Sequence, residues 1–176
     1  MSVLADASAL LWRLQLRNIE VGERWRLLAD RWEMHSFAGV RPFYAVHAMM
    51  AFAAAGRTGA TKRVFAALPH ADASCVSMSP PQDAFAAPFC EALLSFARSD
   101  FAACVEWLVR VRHIADRCGG SLAQCDLIHL TFTEAALRAR KARLAHTLVA
   151  ERSAQKPASL LNQLLQQRVL AMSAIA

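Results

Sequence analysis

The stretch Ala97–Arg110, "ARSDFAACVEWLVR", decides how the rest of this chain is read. It follows an apolar run, breaks at Ser99-Asp100, and resumes with Val105 and Leu108 on one side of a helix that Asp100 is placed to cap. Two other stretches have the same plan: Ala55–Leu68, "AGRTGATKRVFAAL", and Ala139–Arg152, "ARKARLAHTLVAER". The three superpose with a one-residue slip in Ala97–Arg110. Each turns tightly after a helix, sets a small residue (Thr61, Cys104, Ala145) and places a bulky one four positions later (Phe65, Leu108, Val149). A small residue lets two helices approach, and the bulky one fills the neighbouring groove. Recurrence at about 40 residues predicts an all-α array of antiparallel helical hairpins.

The helical period extends outward from these stretches. Val21, Trp25, Leu28 and Trp32 fall on one stripe, preceded by a helix over Ala9–Leu16 with Ser8 as its cap and Asn18 near its end. A helix starts at Pro42 and ends at Gly56, and Thr58–Leu68 follows. Pro69–Gln82 dissolves into Pro, Ser and Asp and reads as a long loop. Helices then cover Asp83–Ala97, with Pro88 in or just after the first turn, and the segment from the Asp100 cap to about Arg117. Beyond Gly119-Gly120-Ser121 come Leu122–Arg138, Leu144–Glu151 and, after Pro157, Leu160–Met172. No period-2 strand is evident. One domain is expected, with capping helices over 1–38, about three hairpins over 39–156, and a C-terminal capping helix over 157–176.

Composition limits the function classes. The 176 residues are 56% hydrophobic and 19% charged, which suits a packed globular chain and not a disordered one. The net charge of +6 is spread among scattered arginines without interleaved aromatics, so no nucleic-acid partner is expected. No run reaches the ~18 apolar residues of a membrane span. Asp6 and Trp12-Arg13 interrupt any signal-peptide core. Cys75, Cys90, Cys104, Cys118 and Cys125 read as reduced, mostly buried thiols of a cytoplasmic protein.

Several phrases together, among them "VGERWRLLADRWEMH", "HAMMAFAAAGR", "CEALLSFARSDFAACVEWL", "GGSLAQCD" and "TEAALRARK", resemble the tetratricopeptide repeat protein 38-like family. The similarity runs from about Ala9 to Arg168 and corresponds to the C-terminal half of the longer family members. It implies a superhelical stack of hairpins, slightly longer in period than the ~34 residues of a standard tetratricopeptide repeat. It implies no particular reaction. A stack without its N-terminal neighbours needs a cap, which the helices around Trp12, Trp25 and Trp32 would supply alone or with a second copy. The chain also departs from the family. Tyr44 and Ala45 stand where relatives carry Asn and Asp, and Leu122 and Cys125 where they carry His and Arg; His47, Gln124 and Asp126 are kept.

The chemically suggestive residues weigh against catalysis. Cys118 and Cys125 are too far apart to chelate from one knuckle, and Cys125 with His129, or His113 near Cys118, does not complete a zinc set. Gly119-Gly120-Ser121 lacks the strand and lysine of a phosphate loop. Glu91 and Glu134 sit within apolar helices and must be paired or desolvated there; Arg138 is four residues after Glu134. Arg138, Arg140, Lys141 and Arg143 favour a helix C-terminus or dock an acidic partner. No catalytic residue, metal or cofactor is expected.

What remains is a trough along the first helix of each hairpin. Its inward positions are Phe43, Val46, His47 and Met50, then Phe89, Leu93 and Phe96, then Leu127, Leu130, Thr131, Glu134 and Arg138. Such a trough suits an amphipathic helix or extended peptide, oriented by Glu134, Arg138 and His47. It is equally open to the chain's own last helix or to a second copy in a homodimer. The alternative function is a small-molecule or enzyme-like pocket in which His47, Glu91, Gln124, Asp126 and Glu134 converge.

Overall fold

The computed structural model describes residues 1–68, 81–117 and 122–173, and every regular element among them is helical. In chain order these are α1 (Ser2–Leu16), α2 (Arg24–Glu33), α3 (Pro42–Ala54), α4 (Thr58–Ala67), α5 (Pro81–Ala97), α6 (Phe101–Val111), α7 (Leu122–Arg138), α8 (Ala142–Gln155) and α9 (Leu160–Ser173). A 3-10 segment, Arg112–Arg117, continues α6. None of the described helices is long and apolar enough to cross a membrane.

Three of the connections are built alike. Gly56, Ser99 and Arg140 adopt left-handed backbone, with φ of 68°, 61° and 55°. The residue after each reaches back five positions: Arg57 N–H donates to the Phe52 carbonyl at 2.8 Å, Asp100 to Ser95 at 2.9 Å, and Lys141 to Ala136 at 3.0 Å. This closes the preceding helix by satisfying carbonyls that would otherwise lack a donor. The next helix begins two residues past the left-handed one in all three cases. Counted from that residue, Thr61, Cys104 and Ala145 fall in step without the slip, and all three are buried. Leu108 and Val149 are buried after them, and Phe65 is half-buried. Asp100 caps α6 as its side chain accepts from Ala103 N–H at 3.1 Å. The first connection differs: Asn18 is left-handed (φ 55°), but α2 starts only at Arg24.

Several boundaries move from their expected places. α1 begins at Ser2, so Ser8 is an interior residue and not a cap. Its hydroxyl donates to the Leu4 carbonyl at 2.9 Å and accepts from Trp32 Nε1 at 3.0 Å, which explains a buried serine. α5 begins at Pro81, which puts Pro88 inside the helix and not at its start. The α-helix after Asp100 stops at Val111 and tightens to 3-10 geometry before Arg117. The remainder of the expected loop, 69–80, and Cys118 with Gly119-Gly120-Ser121 lie outside the described residues.

α3 is the central element and packs against α1, α2, α4 and α5. Every residue from Ala45 to Phe52 is buried, as expected for a helix that is apolar all round. α5 packs on α3 and α6, α7 on α6 and α8, and α9 on α8. α1 touches α7 as well as α3, and so joins the start of the chain to a helix more than a hundred residues later. Fully buried Trp12 makes that join. Its ring meets Trp25 edge-on at 6.3 Å and Phe96 at 5.6 Å, and its Nε1 donates to Thr131 Oγ1 at 3.0 Å.

Candidate functional site

α1 packs against α3 and α7, and its Trp12 lies against the expected inward positions Phe96 of α5 and Thr131 of α7. The last helix, α9, packs on α8 and reaches the C-terminal part of the α7 face through Arg168, which pairs with Glu134. Two hollows remain, one at the N-terminal half of α7 and one at its C-terminal half.

The first is a cavity of about 50 Å³. Phe43, Val46, His47 and Met50 of α3, Phe85 and Phe89 of α5, and Gln124, Leu127 and Ile128 of α7 line it. His47 is 4% exposed. Its Nδ1 lies 2.7 Å from the Phe43 carbonyl, which can only accept, so Nδ1 carries the proton and donates. Nε2 is therefore an acceptor, and it is buried without a hydrogen-bond partner among the described residues. Burial is the main cause that lowers the His47 pKa and keeps the ring neutral, opposed by the Phe43 hydrogen bond and by Asp6; Arg13 adds to the lowering.

The second hollow is a groove of about 560 Å³ between the C-terminal end of α1, α7 and α9. Leu16, Leu130, Leu161, Leu164 and Leu165 give it an apolar floor, and Arg13, Arg17 and Arg168 stand around it. Glu134, 4% exposed, is fully engaged at its base. Arg168 donates to both carboxylate oxygens at 2.7 and 2.8 Å, and Arg138 Nε donates at 3.0 Å. The hydrogen bond to Glu134 is the chief cause raising the Arg168 pKa. Arg138 also donates to the Leu16 carbonyl at 3.0 Å and to Asn18 Oδ1 at 2.8 Å, and its guanidinium lies over Phe96 and Phe101. Beyond Arg168 a further depression carries Arg138, Arg140 and Arg168.

The expected site residues thus divide between the two places. Phe43, His47, Met50, Phe89 and Gln124 belong to the cavity, and Leu130 and Glu134 to the groove. Phe96 is core beneath Trp12 and Arg138. Asp126 pairs with Arg152 at 2.9 Å and Lys156 at 3.7 Å, tying α7 to α8. Glu91 is half-exposed and lines neither hollow, so the five polar groups of a convergent pocket do not meet. Arg13 and Arg17, in α1 and just after it, and Leu161, Leu164 and Arg168 of α9 also line the groove; the repeat register marks none of them, although the last helix is one of the expected occupants of the trough.

Burial pushes the Cys104 thiol up to about 12, with Asp100 adding to it, and raises Cys90 further, so neither is a ready nucleophile. Among the described residues, no three His, Cys, Asp or Glu side chains group as metal ligands. No family model matches the chain, and no solved structure matches its fold.

Proposed function

We propose that the chain is an array of tetratricopeptide-like hairpins, related to the tetratricopeptide repeat protein 38-like family, that works as a non-enzymatic docking module for a partner helix. The repeated left-handed turn at Gly56, Ser99 and Arg140 supports the array. The observation that carries the docking role is the groove at α1, α7 and α9, where five leucines form a floor and Arg13, Arg17 and Arg168 stand at its margins. Glu134 is neutralised by two arginines, so the net field of the groove is positive. The occupant this suits is an amphipathic helix with leucine-like anchors on one face and acidic residues flanking them.

Fluorescence anisotropy with two synthetic helices tests this: one apolar face, flanked by Glu in the first peptide and by Lys in the second. The acidic peptide is expected to bind at least about tenfold tighter, and to weaken as salt rises. Leu164→Glu, at a position 47% exposed, should abolish the binding while leaving the helical circular-dichroism spectrum unchanged. Equal binding of both peptides, or no loss in Leu164→Glu, overturns the reading.

A second copy is the other partner supported by an observation. Leu10, Leu27 and Met34 stand exposed on α1 and α2, bordered by Arg24, Asp30 and Arg31. A mixed-sign border is self-complementary under a twofold axis. Light scattering at micromolar concentration is expected to give a dimer, and a mass of 19.3 kDa would remove it.

A further inference from the structure

The groove leaves one feature unused, the buried Nε2 of His47. A lone pair without a donor in an apolar surrounding costs free energy, about as much as a lost hydrogen bond. The Phe43 carbonyl fixes which nitrogen this is, because it holds the only ring proton on Nδ1. His47 lines the same cavity as Phe43, Met50, Phe85, Phe89, Gln124 and Leu127. The site therefore asks for one hydrogen-bond donor carried on an apolar body. A carboxylate or phosphate suits it poorly, because its oxygens would face an acceptor and no cation stands among the described residues of the wall. An ammonium group would supply a donor, but no carboxylate stands among the described residues of the lining to stabilise its charge.

We infer that the cavity between α3, α5 and α7 is a binding site for a small neutral alcohol, or the hydroxyl end of a longer apolar molecule, with the hydroxyl donating to His47 Nε2. The volume of about 50 Å³ accommodates a few heavy atoms, given that one water needs about 10–15 Å³. The site is separate from the leucine groove, so either can fail without the other.

The test uses two isomers of one formula, 1-butanol and methyl propyl ether, which differ in having or lacking a hydroxyl donor. Each is titrated into the full chain while the Met50 methyl and the His47 ring nitrogens are followed by NMR. The butanol is expected to shift both sets of signals and to bind about fivefold tighter than the ether, the worth of one net hydrogen bond. The His47 Nε2 signal should also move in the direction of an accepted hydrogen bond. In His47→Leu, whose spectrum reports whether it is folded, the preference for butanol should vanish while weak binding of both isomers persists. Equal affinities in the native chain overturn the inference. So does a preference that survives in His47→Leu, or the absence of any shift at tens of millimolar, which would mean the lone pair is met by water alone.

Discussion

Glu134 and His47 are both polar side chains on inward helix faces, each 4% exposed, yet the protein treats them in opposite ways. Glu134 is surrounded by donors: Arg168 grips both of its oxygens and Arg138 adds a third hydrogen bond while holding the end of α1. His47 has one of its two nitrogens engaged, by a carbonyl of its own helix, and the other buried without a partner among the described residues. A buried charge must be paired to be tolerated, whereas a neutral ring survives with one acceptor unmet. The carboxylate is therefore part of the frame that joins α1, α7 and α9. The imidazole contributes little to that frame and keeps its capacity for something else.

Removing each group should expose this difference. The largest effect is expected for Glu134→Ala, which leaves Arg138 and Arg168 facing each other without their anion. Denaturant unfolding should give a loss of about 3 kcal/mol. A loss below about 1 kcal/mol would break the comparison by making Glu134 as dispensable as His47. Arg168→Met should cost less, about 1 kcal/mol, because Arg168 is half-exposed and Arg138 still pairs with the carboxylate. The smallest effect belongs to His47→Leu, expected within about 0.5 kcal/mol of the native chain near pH 8, since the lost bond to Phe43 is offset by removing an unmet acceptor.

The same His47→Leu variant sharpens the contrast when pH is varied. The folded-state pKa of His47 lies below its ordinary 6.5, chiefly through burial. The unfolded chain then takes up the proton first, so the stability His47 permits is complete above 6.5 and is lost as pH falls through 6.5 toward the folded pKa. Asp6, which raises that pKa, and Arg13, which lowers it, are the charged groups acting on the ring. Unfolding curves between pH 8 and 5 should slope more steeply for the native chain than for His47→Leu; identical slopes would show that the ring protonates freely when folded.

Legibility in the sequence followed the range of each interaction. Asp100, Pro42 and Gly56 announce helix ends through contacts made within four or five residues, and those ends lie close to where local chemistry puts them. Ser99 and Arg140 adopt the same left-handed backbone with no glycine to announce it, so only their shared register with Gly56 points to it. The trough positions on α3 and α7 could be counted from helical periodicity. Glu91 could not, because it neighbours fully buried Cys90 and one step along a helix turns a side chain by about 100°. What packs against the trough positions was the least visible feature. Nothing near Trp12 in the sequence names Thr131, and the leucines of α9 complete a groove whose other wall is formed by α1.

The span of that Trp12–Thr131 bond, 119 residues, has a kinetic and thermodynamic consequence. A stack in which each repeat touches only its neighbours melts piecewise, because its stability is a sum of local terms. Here the first helix is clasped to α7, and opening either one forfeits contacts at the other. Contacts between successive helices should form early, from residues close in sequence, and the clasp late, after the entropy of closing a long loop has been met. The protein should then unfold as one cooperative unit, and the rate at which α1 releases α7 should set how long the native state lasts.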